Sequence, residues 1–155
     1  MTRTITNSAA CVLVASLMLC ASVFAAHHSY AQLYDETRVA IIRGVVTQVV
    51  WANPHPYIYL DVTDDKDTVT KWLVEGSSVN LLIRDGWSAT TVRAGDSLSV
   101  CGWPGKPNAP TQGLPPGADS AHALVGLIVS FPDGRKMPFV SSDAMGATAT
   151  DPCRR

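Results

Sequence analysis

The sequence has no surplus of positive charge: 12 lysines and arginines stand against 13 aspartates and glutamates, for a formal net charge of −1. That excludes the basic face on which nucleic-acid binding depends. Charge of either sign is sparse, at 16% of residues. No stretch after Ala26 is long and apolar enough to span a membrane, which takes about 20 apolar residues. No Gly-rich phosphate loop follows a strand and opens a helix. Ser77 and Ser78 lack the strand–turn–helix setting of a nucleophile elbow. Glu75 can be drawn opposite Asp61 across two strands, but a lone carboxylate pair on a small β protein is ordinarily surface. The chain is therefore expected not to be an enzyme. Its four cysteines form no CxxC pair, so the usual structural zinc spacing is missing too.

The charge that is present avoids the N-terminus. Arg3 is followed by a stretch from Ala9 to Ala26 with no charged residue, strongly apolar from Val12 to Leu19 and ending Ser22-Val23-Phe24-Ala25-Ala26. A positive start, an apolar middle and a small-residue end predict a secretory signal peptide over residues 1–25. Cleavage after Ala25 puts Val23 and Ala25 in the two small pockets of the peptidase, whereas cleavage after Ala26 would offer Phe24. As an uncleaved anchor the stretch is marginal in length. As a lipobox it fails, because Leu19 stands where a small residue must precede Cys20. Removal of 25 residues leaves 130 of the 155, one domain by length. Of the charges only Arg3 is lost, so 11 basic residues face 13 acidic ones. Cys11 and Cys20 leave with the signal peptide. Cys101 and Cys153 remain, and in an oxidising compartment they are expected to pair, pinning the C-terminal tail.

The remainder reads as β structure with one short helix. Arg38 to Trp51 is a long Val- and Ile-rich run broken by Gly44, which predicts a bulge or bend. Ala52-Asn53-Pro54-His55-Pro56 is a loop, since its two prolines cannot sit in a central strand. Tyr57 to Thr63 alternates, with Ile58, Leu60 and Val62 on one face and Tyr59, Asp61 and Thr63 on the other. Val69 to Glu75 is a third strand. Ser77 or Ser78 can cap a helix through Asp85, with Val79, Leu82 and Ile83 on one face and Gly86 at its stop. Leu98 and Val100 begin a fourth strand. Residues 102–117 hold five prolines and predict an irregular exposed loop. Ala121 to Phe131 is a fifth strand, and Asp133-Gly134 turns the chain into a short one at Met137 to Val140. The tail over residues 141–155 is small, polar and expected to be flexible. Three strands, a helix, then two strands is the order of an OB-fold, a five-stranded Greek-key barrel plugged by its helix. Another small β-barrel or sandwich is the alternative.

Several of these residues form an ordered set. Ala26-His27-His28-Ser29-Tyr30-Ala31, Tyr34-Asp35, Gly44-Val45-Val46, Trp51-Ala52-Asn53-Pro54-His55, Trp72, Glu75, Gly86-Trp87, Ala94-Gly95-Asp96 and Asp133-Gly134-Arg135 follow in order. In this the chain resembles a bacterial family of small exported proteins classed as a domain of unknown function, over roughly residues 26–140. The resemblance implies a periplasmic OB-like module and no assigned activity. The proline-rich loop and the cysteine tail stand apart from the family pattern.

A chain beginning Ala26-His27-His28 has a free amine with histidine in third place. The amine, two deprotonated backbone amides and the His28 imidazole can enclose a metal in one plane, which suits Cu(II). Cleavage after Ala26 would instead let His27 chelate through its amine and ring, with His28 or His55 completing the set. His55 has two readings, a turn residue bonded to a nearby carbonyl or a ligand at the barrel mouth. Trp72 and Trp87 are expected in the core. Trp51 and Trp103 can edge a binding surface, since tryptophan is enriched at hot spots. Tyr57 and Tyr59 are placed on the outer face, where with Trp51 they could form an aromatic platform beside Asn53 and His55. His122 reads as an ordinary surface residue. The expectation is a non-catalytic periplasmic binding or accessory module that takes copper through Ala26, His27, His28 and His55. The alternative is a metal-free module binding a partner protein or small ligand through the Asn-Pro-His loop, the aromatics and the proline-rich loop.

Overall fold

The computed structural model describes residues 30–141 and Cys153. The expected signal peptide, Ala26, His27 and His28, and all of the tail after Ser141 except Cys153 lie outside the described residues.

The long first strand, β1 (Ala40–Val50), serves two neighbours. Its first half, Ala40 to Val45, pairs antiparallel with β4 (Ser97–Pro104), and its second half, Val45 to Val50, with β2 (Tyr57–Thr63). Val45 is the handover, opposite both Asp61 and Ser97. The bend expected at Gly44 is a close approach: a Cβ there would collide with the Asp61 carbonyl oxygen. The bulge itself lies further on, between Val46 and Gln48.

β2 returns as β3 (Val69–Glu75) through a turn in which Asp64 Oδ1 accepts the amides of Lys66 and Thr68. The fifth strand starts later than its apolar run, at Ala123, after a 3-10 turn over Ser120–His122 that Asp119 caps through the Ala121 amide. β5 (Ala123–Ser130) lies antiparallel to β4 and carries β6 (Lys136–Pro138) on its other side. Its first residues also pair in parallel with the end of β3, Leu73–Glu75 against Ala123–Val125. That pairing closes the sheet, so the fold is all-β, a five-stranded OB-like barrel with two short α-helices among the described residues.

Inside, Ile42, Val46, Ile58, Leu60, Val74 and Val100 meet from all sides. α2 (Val79–Arg84) and Trp87 plug one end. Of the apolar face expected on that helix only Leu82 is buried; Ile83 is 55% exposed, because a helix of under two turns offers one residue to the barrel. Ser78 holds the N-cap position without a side-chain bond, and the Val79 amide donates to Asn53 Oδ1 instead. Gly86, at φ +88°, ends the helix as expected.

β5 is apolar on both faces, as strands covered on both sides are. Its outer face meets a second apolar cluster built by Leu33, Tyr34, Leu73, Val125, Leu127 and Val140. The cover is α1 (Tyr30–Leu33) and the proline-rich loop, joined by a Tyr34–Gly105 bridge and by hydrogen bonds from Lys106 to the Leu33 and Ala31 carbonyls. The Cys101–Cys153 disulfide forms as expected, Cα to Cα 5.9 Å, and brings Cys153 to this cluster. Among the described residues no helix is long and apolar enough to cross a membrane.

Candidate functional site

Glu75 is the buried charge of the barrel, 5% exposed at the end of β3. The Asp61 pairing expected for it does not form: Asp61 lies opposite Lys71, and Glu75 lies opposite Tyr57 on one side and Val125 on the other. A carboxylate held this deep must be hydrogen-bonded. Tyr34, from the strand-like segment after α1, donates its hydroxyl to Glu75 Oε2 at 2.6 Å across 41 residues. The Asn-Pro-His loop brings His55 to the other oxygen, with Nδ1 3.5 Å from Oε1.

His55 Nδ1 also lies 2.9 Å from the Gly76 carbonyl oxygen. A carbonyl and a carboxylate can only accept, so Nδ1 carries the hydrogen and donates it. In the neutral ring this leaves the lone pair on Nε2, at the opposite edge. The imidazole is only partly covered, with a quarter of the side chain exposed. Tyr30 stands edge-on to it, ring centroids 6.1 Å apart, and makes the same contact with Tyr34.

The surroundings are partly buried and rich in phenols. Burial first, then the Glu75 charge, pushes the Tyr34 and Tyr30 hydroxyls far above the ordinary phenol range. The same causes raise Tyr57 to about 12, and burial alone raises Tyr59. Tyr30, Tyr34 and Tyr57 therefore stand as neutral phenols around the Glu75 carboxylate.

The residues singled out in the sequence divide between two layers. Trp51 packs on the inner cluster with Trp72 and Trp87. Tyr57, Tyr59 and Trp103 pack on the outer one with Tyr30. Asn53 turns to the helix it caps. His55 and Tyr57 are thus brought to the Glu75 end, and Trp51 is not part of their surface. His122 bonds Asp119 at 2.9 Å and abuts Trp72, away from this end. An open groove of about 470 Å³ between Arg43, Asp61, Ser97, Ser99 and Phe131 lies toward the other end of β2 and contains none of these residues. Among the described residues no three His, Cys, Asp or Glu side chains gather as a metal site.

Tyr34, Glu75 and Gly76 were not among the candidate ligands in the sequence. Tyr34 and Glu75 did belong to the set of residues that carries the family resemblance, which was the signal that could have singled them out. A family model described as a family of unknown function (DUF6152) matches residues 14–114, well over half of the chain. The match takes in Tyr34, His55 and Glu75 and stops short of Asp133-Gly134-Arg135. No curated protein matches the chain.

Proposed function

The chain belongs to this family of unknown function, and from that premise we propose that it is a non-catalytic periplasmic binding module that holds Cu(II). The ligands are the Ala26 amine, the backbone amides of His27 and His28 and the His28 imidazole at the mature N-terminus, with His55 of the barrel as a further donor. The observation that carries the reading is the fixed His55 ring, with Nδ1 engaged by Gly76 and Nε2 left as donor. A ring held through one nitrogen by a carbonyl or carboxylate is the usual state of a histidine ligand. Covalent geometry adds reach. His28 is two residues before Tyr30, so their Cα atoms are within about 8 Å, and the Tyr30 ring touches that of His55. The disulfide fits an oxidising compartment, where copper is met.

The test is native mass spectrometry of protein processed in a periplasm, with and without one equivalent of Cu(II). The expected result is a chain starting at Ala26 that retains one copper, and a His28→Ala variant that does not. A chain that retains none, or that starts beyond His27, overturns the reading. In that case the half-buried aromatics Tyr57, Tyr59 and Trp103, which share one outer cluster beside the proline-rich loop, favour the metal-free alternative of a partner or small-ligand surface.

A further inference from the structure

Away from the Glu75 end, the outer face of the barrel carries two charges that the copper reading does not use. Ile42, Val46, Leu60, Leu98 and Val100 are buried, so alternation turns Arg43, Val45, Asp61, Ser97 and Ser99 outward. Register sets these side by side. Val45 lies opposite both Asp61 and Ser97, Arg43 opposite Ser99, and Ser99 opposite Ser130. With Phe131 they line the open groove of about 470 Å³, a volume ordinary for a small-molecule site. Val45, 45% exposed, and Phe131 supply apolar surface beside the charges. Arg43 and Asp61 are diagonal cross-strand neighbours, about 7–8 Å apart along the backbone, and so within reach of each other. Yet they form no ion pair: those among the described residues join His55 to Glu75, His122 to Asp119 and Arg135 to Asp133. Lys71, opposite Asp61 on β3, does not pair with it either. Asp61 Oδ1 is shut off from solvent and accepts no hydrogen bond from any described residue. A carboxylate oxygen left so is costly, and a donor from outside the chain would remove the cost.

We propose that this groove binds a small zwitterion, an α-amino acid with an apolar side chain. A cation alone would meet Arg43 and an anion alone would meet Asp61, whereas a ligand that carries both charges complements both. The Arg43 guanidinium takes the ligand carboxylate through two parallel N–H donors. The ligand ammonium donates to Asp61, whose carboxylate turns about its soft χ2 to bring Oδ1 to it. The ligand side chain lies on Val45 and Phe131. Arg135 stacks on the Phe131 ring, 4.1 Å from its centroid, and steadies that wall. None of these residues enters the copper reading, so the two sites stand or fall separately.

The experiment uses the full processed chain with L-leucine and L-phenylalanine as probes, and follows backbone amide shifts by nuclear magnetic resonance. Saturable shifts are expected at Gly44, Val45, Ser97 and Ser99. D61N and R43Q are each expected to weaken binding about ten- to hundredfold, as loss of a charged hydrogen bond does. Two analogues test the charges from the ligand side. Phenethylamine keeps the cation and lacks the carboxylate, N-acetyl-L-phenylalanine the reverse, and both are expected to bind wild type as weakly as the variants bind L-phenylalanine. Should D61N fail to fold, R43Q and the two analogues still decide. No saturable shift with either amino acid would overturn the proposal, as would shifts confined to the Tyr30 and His55 end. Wild-type affinity in folded D61N or R43Q would overturn it as well. Phenethylamine binding as tightly as L-phenylalanine would make Asp61 a plain cation site and end the zwitterion assignment.

Discussion

Tyr34 is the side chain at which the core and the candidate site meet. Its ring belongs to the outer apolar cluster and its hydroxyl to Glu75. Tyr34→Phe keeps the ring and removes the hydrogen bond to the carboxylate, so it is expected to cost about 1–3 kcal/mol, read from the midpoint of urea unfolding. The phenols as a group make a second, pH-dependent prediction. The chain has four tyrosines, Tyr30, Tyr34, Tyr57 and Tyr59, and all four are raised from the ordinary value of 10.0. The folded barrel thus binds these protons more tightly than the unfolded chain. Their contribution to stability is complete below pH 10.0 and is lost as the pH rises, for Tyr57 through about 12. Near-ultraviolet absorbance should show little tyrosinate at pH 10 while the fold persists, and urea midpoints should fall above it. Ordinary titration of the phenols in the folded protein would contradict this.

Among the elements, β1 bears the heaviest geometric demand, because it passes from β4 to β2 at Val45. Gly44→Ala drives a Cβ into the Asp61 carbonyl, and is expected to cost about 1–3 kcal/mol as an overpacked site does. Differential scanning calorimetry would register this as a lowered Tm; an unchanged Tm would mean that β2 can step aside. The elements were largely legible in the sequence. Alternation marked β2, two prolines marked the loop after β1, and Gly86 marked the end of α2. What alternation cannot supply is register. Asp64 closes the β2–β3 turn through the Lys66 and Thr68 amides, and this sets Asp61 against Lys71 and Glu75 against Tyr57. Only then does Glu75 become a buried carboxylate. The Tyr34–Glu75 bond spans 41 residues and depends on the segment after α1 being seated against Gly105, so no local pattern announces it. His55 was visible as a candidate because prolines flank it, but its fixed ring depends on Gly76, which arrives with β3.

At the scale of the molecule, two ties join distant parts of the chain. The disulfide closes a span of 52 residues from β4 to the tail. On the chain-entropy account it contributes about 4 kcal/mol, so reduction, or Cys153→Ser, should lower the urea midpoint by a corresponding amount. An unchanged midpoint would show the tail to be ornamental to stability. The other tie is the parallel pairing of β3 with β5. It has a consequence for how the protein is made. A chain synthesised from its N-terminus delivers β1, β2 and β3 well before Ala123, and until then β3 has an open edge that could template pairing with another chain. Closure waits on a pairing that is far apart in sequence, Leu73 with Ala123, and such long-range pairing places this fold among the slower-folding small domains. A nascent chain halted before β5 would therefore present an unsealed sheet, with Glu75 uncovered on the β5 side, to the proteases and chaperones of its compartment.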